Sequence, residues 1–168
     1  LKIGASELEW TRLEPPDEDS APAPRWKHTA CMVDDINMMI FGGFHSSTNR
    51  FNDVWYFNTV SLSFEQPLAP QTEFTPRGNH IPTKNMEPGA PSPRGGHTAV
   101  LMGKQVWIFG GYGGLGYSRK DFDDLYTFDV EELTWNRVGT KGKAPEKRSG
   151  HSSCAVLEKL YVFGGWSS

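Results

Sequence analysis

Three apolar runs along the chain close in the same residues. Met38 to Phe41, Val106 to Phe109 and Leu160 to Phe163 each end in Phe-Gly-Gly. Successive side chains of a strand point to opposite faces, so a run that is apolar at both phases predicts a strand covered on both sides. Other stretches alternate. Trp135 and Arg137 stand against Thr134, Asn136 and Val138, and residues 8–14 (LEWTRLE) have a similar pattern. These predict outer strands with one face in water. In the middle unit a first strand runs from His97 to Met102, a tight turn falls at Gly103-Lys104, the apolar run forms the second strand, and Asp124 to Val130 and Thr134 to Val138 form the third and fourth. Each unit therefore reads as four short strands.

The units are in register. Arg25-Trp26-Lys27-His28-Thr29-Ala30 matches Arg94-Gly95-Gly96-His97-Thr98-Ala99, and both match Arg148-Ser149-Gly150-His151-Ser152-Ser153. The histidines are 69 and then 54 residues apart. A proline-rich insertion at 69–93 accounts for the longer period; without it both approach the roughly 50 residues of one kind of propeller blade. The repeat also decides the meaning of Gly111-Tyr112-Gly113-Gly114-Leu115-Gly116, which spells the G-x-G-x-x-G of a dinucleotide loop. Such a loop opens a helix, and only Tyr117 to Asp124 separate Gly116 from the next strand, with no apolar helical stripe. A parallel crossover needs a dozen or more residues. The paired glycines, present three times, mark strand ends where the backbone turns or meets a neighbour closely.

With R-x-x-H, the closing F-G-G, the aspartate-led aromatic third strand (Asp53 to Phe57, Asp124 to Phe128) and the final aromatic (Phe64, Trp135), the chain resembles the kelch repeat family. The resemblance implies an all-β fold: kelch-type β-propeller blades of four antiparallel strands, about two full blades plus partial blades at both ends. The expected division is an outer strand of a preceding blade at 8–14, a blade at 25–68, the insertion at 69–93, a blade at 94–138, and the first half of a further blade at 148–168. Propellers have about 4 to 8 blades, so these cannot close a ring. The blade edges are expected to be completed by the rest of a longer chain, by self-association or by a partner subunit. The absence of an initiating Met reads the same way, as a segment of something longer.

Composition excludes little and confirms the class. Seventeen Lys and Arg against 20 Asp and Glu leave a net charge of −3, without the basic footprint of a nucleic-acid binder. No apolar stretch approaches the roughly 18 residues of a membrane span, so neither nucleic acid nor membrane is an expected partner. Two cysteines, Cys31 and Cys154, do not make a disulfide scaffold. An intracellular, cytoplasmic setting follows, with cytoskeletal association as one form of it.

No nucleophile, zinc or thiol-redox motif occurs, and the reading is a non-enzyme with no cofactor or metal. His28, His97 and His151 share one repeat phase and so fall in different blades. The kelch resemblance does admit a copper radical oxidase of the galactose-oxidase type, which needs Tyr and His ligands and a Tyr joined to a Cys; Cys31 and Cys154 instead share a phase with Val100, as a small apolar slot would explain.

Function on a repeat scaffold sits on its variable loops. The links between second and third strands differ most, and they supply the candidate protein-binding residues Phe44, His45, Asn49, Arg50, Tyr112, Tyr117, Arg119 and Lys120. Aromatics beside arginine are enriched at interface hot spots; the alternative is that they only pin their own loops. By the resemblance, such loops gather on one face and grip a protein or peptide. The implied role is adaptor or scaffold. A structural subunit of a large assembly, or a propeller appended to a phosphatase or a ubiquitin ligase, are the alternatives.

Overall fold

The computed structural model describes residues 10–14, 20–67, 89–114 and 116–167, apart from the Tyr117 side chain. The first sheet is an antiparallel meander of β1 (Thr29–Met32), β2 (Asn37–Phe44), β3 (Arg50–Asn58) and β4 (Ser63–Glu65), in that spatial order. A short β5 (Arg94–Gly95) leads into the second sheet. There β6 (Thr98–Met102) and β7 (Gln105–Phe109) are followed by two-residue strands β8 (Tyr112–Gly113) and β9 (Lys120–Asp121), then by β10 (Leu125–Asp129) and β11 (Thr134–Val138). The main sheet has the order β6-β7-β10-β11, while β5, β8 and β9 form a small sheet at its end. β12 (Ser152–Val156) and β13 (Lys159–Phe163) form a two-stranded third sheet.

Tight turns allow the meander. Asn58 Oδ1 accepts from the amides of Val60 and Ser61, and Asp129 Oδ1 does the same for Glu131 and Glu132. These Asx turns reverse the chain between third and fourth strands at equivalent places.

The sheets pack face to face. One core holds Val33, Met39 and Phe41 of the first sheet against Val106, Ile108, Phe128 and Trp135 of the second. Trp135 meets Phe41 and Phe128 at centroid distances of 5.0 and 4.9 Å. Burial of each such side chain contributes about 1.5–3 kcal/mol. β7 is covered on both faces, as its sequence requires. β13 is covered on one: Leu160 and Val162 are half-buried, whereas Tyr161 and Phe163 are 52% and 84% exposed. No sheet among the described residues lies on that side.

Trp10 to Glu14, the described part of the outer strand expected at 8–14, form no strand, and Trp10 is 84% exposed. A strand needs a paired edge, and no described strand lies beside these residues. Residues 68–88, most of the insertion, lie outside the described residues. Its last part is anchored: Pro91 is fully buried, and the Asn52 side-chain amide donates to the Pro91 carbonyl at 3.2 Å.

Candidate protein-binding surface

Each R-x-x-H segment builds the joint between strands. Arg94 is 0% exposed; its guanidinium pairs with both Asp124 oxygens at 2.5 and 3.1 Å and donates to the carbonyls of Gly110 and Ser92. The Phe122 ring lies 4.1 Å from its Cζ. Arg25 repeats this with Asp53, Gly42, Ala23 and Phe51. Arg148 makes the two carbonyl bonds, to Glu146 and Gly164.

The histidine reaches back to the preceding blade. His97 Nε2 lies 2.8 Å from Thr29 Oγ1, and His151 Nε2 lies 3.0 Å from Thr98 Oγ1. The rings stand edge-on to Phe41 and Phe109 of the blade before. The Gly96 amide donates to the Lys27 carbonyl and the Gly150 amide to the Gly96 carbonyl, so the same segment also passes a backbone bond from blade to blade. The paired glycines fit this joint. A Cβ on Gly110 (φ +64) would lie 2.7 Å from the Arg148 carbonyl oxygen of the next blade, and one on Gly111 would lie 2.8 Å from His97 Cβ of its own.

Burial, and then the nearby Arg94 charge, push His97 down to about 3; His28 and His151 are lowered by burial and by Arg25 and Arg148. A folded pKa below the unfolded value near 6.5 means the unfolded chain takes up more protons below that pH. The stability that His97 contributes is therefore complete above pH 6.5 and declines as pH falls towards 3, by about 1.4 kcal/mol per pH unit. Urea unfolding between pH 7 and 4.5 should show this slope, and His97→Gln should flatten it by one proton. An unchanged slope in the variant would assign the acid sensitivity elsewhere.

The candidate residues do not all lie in loops. A β-bulge between Phe41 and Gly43 lets the ladder resume, so that Phe44 pairs with Arg50 inside β2 and β3. Tyr112 and Lys120 lie in β8 and β9. Phe44 is 2% exposed and packs against Trp26 and Tyr112, at 5.6 and 4.8 Å between centroids. Arg50 is 5% exposed, with its Cζ 5.1 Å from the Phe44 centroid and 5.5 Å from that of Tyr112. Phe44, Arg50 and Tyr112 thus form one cluster across two blades. Burial, then the charge of Arg119, lowers the Arg50 pKa. Arg119 and Lys120 are exposed. His45 is exposed and sits apart, its Nδ1 3.0 Å from the Pro24 carbonyl, while Asn49 closes the turn by accepting from the His45 and Ser46 amides. The Tyr117 side chain lies outside the described residues.

Sequence reasoning missed Lys27, whose ammonium lies 5.1 Å from the Tyr112 centroid. It has φ 55, where the other units carry Gly96 and Gly150 at φ 66. The signal was available: lysine stands at a glycine phase of the repeat.

At the described glycines in the centre of the glycine-rich loop, neighbouring backbone carbonyls close in on the chain. A Cβ on Gly113 would meet the Pro93 carbonyl, and one on Gly114 the Ser118 carbonyl. The Cys31 thiol is pushed up to about 11 by burial, away from metal-ligand chemistry. Among the described residues no group of three His, Cys, Asp or Glu could hold a metal ion, and no helix is long and apolar enough to cross a membrane.

Four-stranded antiparallel sheets, stacked through a repeated joint, define blades of a β-propeller. A model of the KLHDC2/KLHL20/DRC7 Kelch-repeats domain matches residues 2–85 and 81–168, and the chain belongs to the kelch repeat family. It is 32% identical to host cell factor 1 of Mus musculus over 98% of this chain and 8% of that protein. It is 28% identical to Kelch domain-containing protein 3 of Bos taurus, over 97% of this chain and 39% of that protein. A flagellar outer-arm dynein alpha chain of Chlamydomonas reinhardtii is 31% identical over 87% of this chain and 3% of its own length. The chain thus spans a minor part of these relatives. The kelch relatives support a protein-interaction propeller module.

Proposed function

We propose that the chain is a non-catalytic adaptor or scaffold module that grips a protein partner at the end of the blades carrying the links between second and third strands. The observation that carries this reading is the cluster of Phe44, Arg50 and Tyr112 across the first two blades, with Arg119 and Lys120 exposed beside it. Aromatic rings and guanidinium groups over a rigid frame are the material of interface hot spots. The strand connections at the opposite end, such as Gly103-Lys104 and Leu157-Glu158, are short turns.

A photo-crosslinking residue at position 48 or at position 158 of the chain tests this in cells. A partner captured from position 48 and not from 158 is the expected result. The double variant Arg119→Ala/Lys120→Ala should weaken that capture about tenfold or more at an unchanged melting temperature. Capture from position 158 alone would move the interface to the opposite end.

The exposed face of the third sheet favours a second reading, in which a neighbour completes the blades. Phe163 and Trp166 are 84% and 75% exposed, while their counterparts Phe41 and Phe44 are 1% and 2% exposed. Phe41 and Phe109 each face a histidine ring of the next blade, so Phe163 is placed to receive the histidine of a further R-x-x-H unit. Light scattering on the isolated chain separates the sources. A discrete oligomer means that copies supply one another's missing face; a monomer or an aggregate means that another part of a longer chain, or a different subunit, supplies it.

A further inference from the structure

Arg50 is the exception among the buried guanidinium groups. Arg25 and Arg94 each pair with an aspartate and with backbone carbonyls. Among the described residues Arg50, 5% exposed, finds no hydrogen-bond partner for Nε or Nη1, and its Nη2 reaches the Ser47 carbonyl at 3.5 Å. A buried charge without hydrogen bonds costs several kcal/mol. The fold does not demand arginine here, because Asp121 stands at the equivalent phase of the second blade, just before Phe122-Asp123 as Arg50 stands just before Phe51-Asn52, each three residues ahead of the repeat aspartate.

A second departure from the repeat lies beside it. Lys27 holds a left-handed φ where glycine serves in both other units, which costs about 1–2 kcal/mol for a residue with a side chain. Its ammonium and the Arg50 guanidinium both lie over the Tyr112 ring. Backbone strain and an unpaired buried cation converge on one spot, as they do at ligand sites. Positive charge excludes a metal ion as the occupant, and the net charge of −3 gives no basic track for a nucleic acid.

We propose that Arg50 and Lys27, against the Tyr112 ring, form a subsite for the carboxylate of an acidic side chain presented by a protein partner. The subsite rests on the reading of the chain as a protein-binding module and names the chemistry of its ligand. The guanidinium supplies two unpaired donors, buried until the side chains over them give way to the ligand, and the ammonium adds charge from the neighbouring segment. Phe44 and Tyr112 hold the guanidinium in place from below.

The test needs no partner, so it fails independently of the crosslinking above. The probes are N-acetylaspartate amide for a side-chain carboxylate, N-acetylglycine for a chain-terminal one, and inorganic phosphate, each at matched ionic strength against chloride. The readouts are the Nε–H resonance of Arg50 by NMR and the melting temperature. N-acetylaspartate amide should shift the resonance saturably and raise the melting temperature. Arg50→Met should abolish both responses while melting no lower than the parent in chloride, since it removes an unpaired buried charge. Lys27→Gly should raise the melting temperature and weaken the probe at least threefold. The proposal is overturned if Arg50→Met melts several degrees lower and no probe moves the Nε–H signal, because the guanidinium is then structural. A stronger response to phosphate would overturn the carboxylate assignment, and one to N-acetylglycine would replace the side chain by a chain terminus.

Discussion

Replacing Arg94 by methionine should cost about 3–5 kcal/mol, the range for breaking a buried ion pair by removing one partner. The arginine is fully buried and Asp124 nearly so, with side-chain exposures of 0% and 13%. The substitution leaves the Asp124 carboxylate without its two charged donors and takes a donor from each of the Gly110 and Ser92 carbonyls. At about 2–4 °C per kcal/mol for a domain of this size, the melting temperature should fall by about 10 °C. The repeat provides its own controls. Arg25 has the same partners, but Asp53 is 29% exposed, so water takes over part of the lost interaction and the loss should be smaller. Among the described residues Arg148 makes only the two carbonyl bonds, and its replacement should cost about 1 kcal/mol or less. Arg94→Met/Asp124→Asn should recover part of the Arg94→Met loss, because it removes the stranded charge. Equal losses at all three arginines would show that the ion pair does not set the stability of the joint.

The second large effect concerns the first glycine of each pair. Gly110→Ala should cost about 3 kcal/mol or more, and Gly164→Ala only about 1. Both have a left-handed φ, +64 and +70, so both incur the backbone cost of a Cβ there. Of the two, Gly110 faces another blade: its Cβ would lie 2.7 Å from the Arg148 carbonyl oxygen and 3.0 Å from His151 Cε1, whereas nothing among the described residues lies within 4 Å of a Cβ on Gly164. The difference isolates the displacement of one blade from the next, which costs about 1–3 kcal/mol in a packed interior. Gly42→Ala should behave as Gly110→Ala, since the Arg94 carbonyl oxygen lies at 2.9 Å. Chemical denaturation of the three variants measures the series. A Gly164→Ala loss as large as that of Gly110→Ala would mean that backbone strain alone sets the cost.

The sequence carried the blades because their determinants are local and repeated. The apolar run into Phe-Gly-Gly dictates a covered strand and its sharp end, and three copies in register remove the ambiguity of one. It also placed Arg50 and Tyr112 among the eight candidate protein-binding residues. It could not show that Phe44 and Arg50 lie within the ladder, because the bulge at Phe41 to Gly43 that carries them back into register depends on the backbone geometry of the glycines. Nor could it separate Arg50 from Arg94: both are arginines near aromatics, and only the fold shows one fully paired and the other not. Lys27 was legible in principle, as a charged residue at a glycine phase, but its meaning depends on Tyr112, 85 residues away in the chain.

The joint also bears on how such proteins are assembled in evolution. The segment that starts each blade holds both halves of its own lock: the histidine and amide that look back, and the threonine and carbonyl that look forward. A gene duplication that copies one interval from His to His therefore delivers a matching pair of contacts in a single event. The new unit needs no compensating change in its neighbours, so the number of units can drift while the seams between them stay the same. Novelty is then free to collect where the lock is indifferent, at phases such as those of Lys27 and Arg50.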